Sequence, residues 1–295
     1  MYKTFRKIDK RFVFAYRNFA KEILNKFIMK NTVFITGASS GLGKATAKLF
    51  QQNGWNVIAA MRSPENEKEL NLLENVLLVK LDVTKQQQIQ EGIKQGIEKF
   101  GSIDVLLNSA GYGLMGVFES SRPEQIEKQF EVNVFGLMNV TKAVLPIMRA
   151  QKKGTIINIS SFGGITAGPF ASLYNSSKFA VEGFSEALHF EVSPFGINVK
   201  IVEPGSIATN FRSGIEMIQN TIEEYNTELA AFIPKFTQRT EHLPKASAEA
   251  VAETIFGAAT DQLSKLRYVI GEDAQFYIDL KNKNSEEDFL RLMQN

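Results

Sequence analysis

The sequence predicts an α/β fold, a doubly wound parallel sheet of about seven strands with helices on both faces. Three observations lead there. Short apolar runs such as Val33-Phe34-Ile35 and Val105-Leu106-Leu107 recur along the chain, as expected of strands covered on both sides. Longer amphipathic stretches alternate with them, and such β-α-β units close by right-handed crossovers. A glycine-rich segment, Thr36-Gly37-Ala38-Ser39-Ser40-Gly41-Leu42-Gly43, joins the first strand to the first helix.

Taken in order, strands are expected at Thr32–Thr36, Asn56–Met61, Val76–Leu81, Val105–Asn108, Thr155–Ser160, Asn198–Glu203 and Arg267–Ile270. Helical periodicity fills the intervals near Gly41–Asn53, Gln87–Phe100, Pro123–Ala150, Ser172–Val192 and Ser247–Thr260. No long linker or internal repeat divides residues 29–295, which are therefore read as one domain. From about residue 211 to 244 the alternation breaks. Inserted after the sixth strand, beyond the carboxyl ends of the strands, this stretch reads as a helical lid over a substrate site.

The chain has 295 residues, 44% apolar and 22% charged, the balance of a globular protein with ample core. It contains no cysteine, which excludes disulfides, thiolate metal sites and cysteine nucleophiles together. Two histidines, His189 and His242, cannot build a multi-histidine zinc centre, and no metal site is expected. The net charge of +2 argues against nucleic acid as a partner. Residues 1–28 hold eight Lys/Arg against Asp9 and Glu22, a balance of +6, which leaves −4 for the rest of the +2 chain.

That leading segment is a separate compositional unit. Phe12, Tyr16, Phe19, Ile23 and Phe27 share one helical face, with basic and polar residues on the other sides. Three readings stay open: a dispensable extension, a helix that packs on its own domain or on another subunit, and membrane-surface contact by residues 12–28. Charges interrupt every apolar window, so a membrane span is not expected. No uncharged run leads to a small-residue cleavage site, so the expected location is cytoplasmic.

Glycines in the first strand–helix loop let the backbone turn tightly and approach a pyrophosphate, which the exposed N–H groups of the helix start favour. A second feature sharpens the reading. Tyr174-Asn175-Ser176-Ser177-Lys178 puts Tyr174 and Lys178 on one helix face, and Ser161 follows a strand thirteen residues before Tyr174. Together with the glycine loop, this Tyr-x-x-x-Lys and upstream Ser resemble the short-chain dehydrogenase/reductase family, from about Thr32 to at least Thr209.

The resemblance implies a Rossmann-type fold, a nicotinamide dinucleotide and a catalytic set of Asn133, Ser161, Tyr174 and Lys178. It places cofactor contacts at Gly37, Ser39, Ser40, Gly41, Leu42 and Gly43. Further contacts follow at Asp82 and Val83, at Asn108, Ala110 and Gly111, and at Pro204, Gly205, Ile207 and Thr209. Tyr174 and Lys178 belong to that set as well. Ser109 departs from the family's Asn-Asn-Ala-Gly, in a motif that mainly braces the sheet. The family's members suggest a homodimer or homotetramer.

Reduction of a carbonyl needs a hydride at carbon and a proton at oxygen, and a nicotinamide supplies only the former. A phenol with reference pKa ~10 is a poor shuttle near neutral pH, and a nearby ammonium stabilises its phenolate. Lys178 would tune Tyr174 in this way, and in the family it also binds the nicotinamide ribose. Ser161 would stabilise charge on the substrate oxygen, and Asn133 would hold a water leading from Lys178 to solvent.

The second strand ends Ala59-Ala60-Met61-Arg62-Ser63, without the acid that NAD users commonly place there. Arg62 can pair with a 2′-phosphate and Ser63 can add a donor, so NADP(H) is the expected cofactor with NAD(H) as the alternative. The segments around Tyr112 and Phe170 look most like the retinol- and 17β-hydroxysteroid-dehydrogenase-like branch. They suggest an apolar carbonyl or alcohol substrate walled by Tyr112, Met115, Phe162, Phe170 and Phe211. The competing readings are a non-catalytic NADP(H)-binding regulatory protein of the same fold, and an isomerase or epimerase using the same tyrosine.

Overall fold

The computed structural model describes residues 30–207, 215–261 and 263–294. The chain enters on β1 (Thr32–Thr36), every residue of which is buried. It turns at the glycine loop into α1 (Gly41–Gln52), whose Thr46, Ala47 and Phe50 face inward, and returns on the fully buried β2 (Asn56–Met61). Next come β3 (Val76–Lys80), α2 (Gln86–Phe100) and β4 (Val105–Asn108). A two-residue strand, β5 (Leu114–Met115), precedes α3 (Pro123–Phe130). A π-helical turn, Glu131–Gly136, carries the chain without a break into α4 (Leu137–Gln151). The second half follows as β6 (Gly154–Ile159), α5 (Ser172–Val192) and β7 (Ile197–Pro204). Beyond these lie β8 (Glu216–Met217), α6 (Asn226–Thr240), α7 (Ala248–Thr260) and β9 (Arg267–Ile270). Two helices, α8 (Glu272–Asn282) and α9 (Glu286–Gln294), end the described chain.

Seven strands pair in parallel in the order β3-β2-β1-β4-β6-β7-β9. β1 sits between β2 and β4, with Val33 opposite both Val57 and Val105. The winding reverses at that point, which opens a crevice at the carboxyl ends of β1 and β4. Alternate residues of each strand serve opposite cores. Phe34, Ile58, Leu106, Ile156 and Val199 pack with α2, α4 and α5, while Val33, Ile35, Val57, Leu107 and Val202 pack with α1 and α7. Burial of each such side chain stabilises the fold by about 1.5–3 kcal/mol. The α/β sheet predicted from sequence is the observed one.

Three features were not expected. The stretch Pro123–Ala150 is not one regular helix, because the π turn inserts at Glu131–Gly136. β5 and β8 form a small parallel pair outside the main sheet, with Leu114 opposite Glu216. Helices α8 and α9 bury Ala274, Tyr277, Ile278, Phe289 and Met293 and so extend the core past the last strand. No helix among the described residues is long and apolar enough to cross a membrane.

Backbone packs closely on backbone where α1 starts. Gly37 has φ +71°, and a Cβ there would lie 2.9 Å from Ala110 Cα. A Cβ on Gly43 would lie 2.3 Å from the Gly37 carbonyl oxygen, a contact no rotamer relieves. Gly43→Ala gains ~1 kcal/mol of helix propensity, against a backbone clash of the kind that costs ~1–3 kcal/mol. The clash is expected to win, lowering the urea midpoint. A midpoint equal to or above wild type would show that α1 can move off β1 freely.

Candidate active site

Tyr174 lies in the first turn of α5 and Lys178 one turn later, so both point to the carboxyl end of β6. Both are buried, at 9% and 7% exposure. Lys178 Nζ donates to the Ile159 carbonyl at 2.9 Å and lies 5.8 Å from the Tyr174 ring centre. Ser161 follows β6 after one residue; its Oγ accepts from the Gly163 N–H at 3.1 Å and hydrogen-bonds the Tyr174 hydroxyl. Asn133 sits in the π turn. Its Oδ1 accepts from the Tyr112 N–H at 3.0 Å, and its Nδ2 donates to the Tyr112 carbonyl at 2.9 Å and to Ser177 Oγ at 3.2 Å.

Electrostatics here are set first by burial. Desolvation pushes the Tyr174 hydroxyl above its ordinary value, while Ser161 pulls it the other way. Desolvation also pushes Lys178 down to about 8, opposed by the Glu182 carboxylate. The sequence argument that Lys178 lowers Tyr174 has the right sign for a neighbouring cation, yet in this structure burial outweighs it.

The residues expected to meet a cofactor form a cradle of backbone. Gly41 has φ +51°, Ser39 and Ser40 are exposed, and Ser40 caps α1 without a side-chain hydrogen bond. No acid stands in the first turn of α1, so its N–H groups face the crevice free of competing carboxylates. Leu42 packs beneath them against the core. A Cβ on Gly111 would meet Asn133 Oδ1 at 3.2 Å and Lys178 Nζ at 4.0 Å, so this glycine leaves the space beside those two side chains open. These residues fit a dinucleotide.

Around the cradle, Ala110 N–H donates to Thr36 Oγ1 at 3.1 Å. Asn108 donates to Thr141 and Asn158, both at 2.9 Å, and braces the sheet as the sequence implied. Arg62 and Ser63 are exposed past the end of β2, and Arg62 has no acidic partner among the described residues. Asp82 accepts from the Thr84 N–H and hydroxyl at 2.9 and 2.8 Å, and Val83 is buried beside Gly136. Pro204 ends β7, Gly205 N–H donates to the Ile270 carbonyl at 2.8 Å, and Ile207 packs against the core. Thr209 and Phe211 lie outside the described residues.

The four described substrate candidates fall into two groups. Tyr112 and Met115 stand beside an apolar cluster of Leu114, Leu173 and Ile218. Burial, with Glu216 second, pushes the Tyr112 hydroxyl up to about 12, and that hydroxyl has no hydrogen-bond partner. Phe162 and Phe170 begin and end a row of rings. Phe162 stacks on Tyr277 at 5.2 Å, and Tyr277–Phe236, Phe236–Phe232 and Phe232–Phe170 follow at 5.3 Å each.

This fold and this site are those of an enzyme class. The chain belongs to the short-chain dehydrogenase family, whose model matches residues 31–219. It is an oxidoreductase of that family. An oxidoreductase of Schizosaccharomyces pombe is 41% identical over 78% of this chain and 96% of its own length. A 3-ketodihydrosphingosine reductase of Bacteroides thetaiotaomicron is 43% identical over 61% of this chain and 65% of its own. The crystal structure of a Streptomyces avermitilis short-chain dehydrogenase is 30% identical, with TM-score 0.79, covering 90% of this chain and 96% of that one. Two further structures hold cofactors. One, described as ElxO with NADP bound, is 29% identical at TM-score 0.68, covering 82% of this chain and 98% of that one. The other, from Burkholderia phymatum in complex with NAD, is 25% identical at TM-score 0.73, covering 90% and 96%.

Two site-building residues escaped the sequence reading. Asp273 of α8 is 3% exposed and accepts from the Ser206 N–H at 2.7 Å, which fixes the loop after β7. Its signal was the acidic pair after Gly271, a helix start. Asn175, beside Tyr174, donates to the Gly163 carbonyl at 2.7 Å and accepts from the Gly168 N–H at 3.3 Å, tying the Ser161 loop to α5. Asn175→Ala strands a buried carbonyl and is expected to cost about 1–3 kcal/mol of stability. Denaturant unfolding checks this, and a loss under a few tenths would mean water replaces the amide.

Proposed function

We propose that this chain is an NADP(H)-dependent oxidoreductase that interconverts an apolar carbonyl and alcohol, with Tyr174 as general acid/base. The observation that carries the reading is the convergence of buried Tyr174, Ser161 and Lys178 at the carboxyl end of β6. Asn133 beside them supports it, since a pure sensor needs no proton shuttle.

A bound nicotinamide supplies the hydride for the carbonyl carbon. The chain's residues do the rest. Ser161 Oγ donates to the substrate oxygen and stabilises the charge that develops there. The Tyr174 hydroxyl, held protonated by burial, gives its proton to that oxygen in the reductive direction. Lys178 orients the ribose and refills the tyrosine through its ammonium. The N–H groups of Gly41, Leu42 and Gly43 take the pyrophosphate. Arg62 and Ser63 take the 2′-phosphate of NADP(H); NAD(H) is the weaker ligand on this reading.

Apolar walls support an apolar substrate: Tyr112 and Met115 on one side, the ring row from Phe162 to Phe170 on the other. The 3-ketodihydrosphingosine reductase among the relatives is named for the reduction of a ketone, consistent with carbonyl reduction here. Helix α6, which carries Phe232 and Phe236 of that row, serves as the lid. The same reading takes the enzyme as a single domain from residue 29, working as a cytoplasmic homodimer or homotetramer.

Two experiments test it. Arg62→Ala is expected to weaken NADPH binding roughly 10- to 100-fold, the scale of one charged hydrogen bond, and leave NADH almost unchanged. Fluorescence titration of both cofactors decides, and NADH binding as tightly as NADPH in the wild type would sink the assignment. Tyr174→Phe is expected to lose ~10²–10⁴-fold in kcat for carbonyl reduction with NADPH affinity retained. Lys178→Ala should lose both turnover and cofactor affinity. Retention of more than about a tenth of turnover by Tyr174→Phe would remove Tyr174 as the proton donor.

A further inference from the structure

One turn beyond Lys178 on α5 stands Glu182, and facing it from β7 stands Glu203; their exposures are 5% and 1%. Both reach one guanidinium. Arg267 of β9 donates through Nε to Glu182 Oε2 at 3.1 Å, and the same nitrogen lies 3.4 Å from Glu203 Oε1. The Nη2 of Arg267 pairs with the half-exposed Glu186 of α5. Ser160, the residue before Ser161, borders the group: a Cβ on Gly164 would lie 2.6 Å from Ser160 Oγ and 3.0 Å from Glu182 Cγ. Yet Glu182 Oε1 and Glu203 Oε1 are buried without a hydrogen-bond partner.

Two buried carboxylates beside one cation repel each other, and each leaves an acceptor unsatisfied. A single proton resolves both problems, because the O–H of one acid then donates to the other. Charge counting agrees. Lys178 and Arg267 supply two positive charges against three carboxylates, Glu182, Glu186 and Glu203, so one proton makes the cluster neutral. Geometry picks the acid that keeps the proton: Glu182 receives the Arg267 hydrogen bond at 3.1 Å, whereas Glu203 is the more deeply buried and stands 3.4 Å from that nitrogen without one, and burial and then the Glu182 charge push it up to about 8. Burial also pushes Glu182 up, but Ser160, Arg267 and Lys178 pull it back. For Lys178, itself pushed down by burial, Glu182 is the group that acts in the opposite direction.

We propose that Glu203 is protonated in the working enzyme and hydrogen-bonds Glu182, and that Glu182, left ionised, is the positioning residue that keeps Lys178 an ammonium beside Tyr174. The second half rests on the catalytic reading of Lys178 given above; the first half stands without it.

Two measurements on the full chain separate them. The first is thermal unfolding across pH, without substrate. A glutamate titrates at 4.5 when unperturbed and Glu203 at about 8 here, so between those values the folded chain holds a proton that the unfolded chain has lost. Wild-type stability therefore falls as pH rises through that window. Glu203→Gln keeps a donor but has no proton to lose, so its unfolding temperature should fall less over the same range, and Glu203→Asp should restore the slope. Equal slopes in wild type and Glu203→Gln would overturn the shared proton.

The second is the pH profile of kcat/KM for NADPH-driven carbonyl reduction. Glu182→Gln removes the carboxylate opposite Lys178, so the lysine loses its proton sooner. The alkaline limb should move to lower pH by about one unit. If that variant does not fold, Glu182→Asp should move the limb the same way by less. A limb unmoved in the folded variant would overturn the positioning role. Because unfolding needs no turnover, failure of the catalytic reading and failure of the proton assignment give different results.

Discussion

The burial of Lys178 is the constraint around which the site is built. An ammonium taken out of water without partners costs several kcal/mol, so the surrounding elements must supply them at fixed places. The carbonyl of Ile159 does so only because β6 ends level with the first turns of α5. Register then carries the requirement outward: Ile159 lies opposite Val202, and Val202 opposite Tyr268, so β6, β7 and β9 reach α5 at matched heights. One strand slipped by a residue would turn Glu203 or Arg267 to the other face of the sheet. The parallel sheet is thus the ruler that brings a carbonyl from β6 and charges from β7 and β9 to one helix.

A second layer of organisation is apolar and comes from distant parts of the chain. The ring row joins the loop after β6, the segment before α5, helix α6 and helix α8. Stacked and tilted rings at such separations add attraction beyond their buried area. The pieces therefore set one another's position, with Tyr277 central because it is both 1% exposed and flanked by two parallel rings. The ring row meets the polar groups of the site at Phe162, the residue after Ser161.

What could be read from the sequence had short-range or periodic signatures. Continuous apolar runs marked the seven strands, and the spacing of four between Tyr174 and Lys178 placed them on one helix face. The glycine loop was legible because it stood between a strand and a helix. Less legible were interactions between residues far apart in sequence. Asp273 acts on a backbone amide 67 residues away, and Arg267 on Glu182 across 85, distances that leave no trace in a pattern. The π turn was hidden for another reason: one extra residue widens a helical turn without changing the segment's composition. Helix α8 opens Glu-Asp and is weakly amphipathic, so its period gives no sign that Tyr277 and Ile278 are buried. The state of Tyr174 was hidden too, because two effects of opposite sign act on it and only coordinates show which prevails.

The π turn carries a consequence for how this chain can vary. Six residues, Glu131–Gly136, form the wide turn between two regular helices. Removal of one residue there would let the backbone relax to a continuous α-helix, and each helical residue advances the azimuth by about 100°. The flanking helices would keep nearly their phase, but the residues within the turn would be re-aimed, carrying Asn133 away from the Tyr112 backbone it clasps on both sides. A point substitution at Asn133 alters one amide, whereas a single-codon deletion nearby removes the wide turn that aims it. Length, more than identity, is what this segment must conserve.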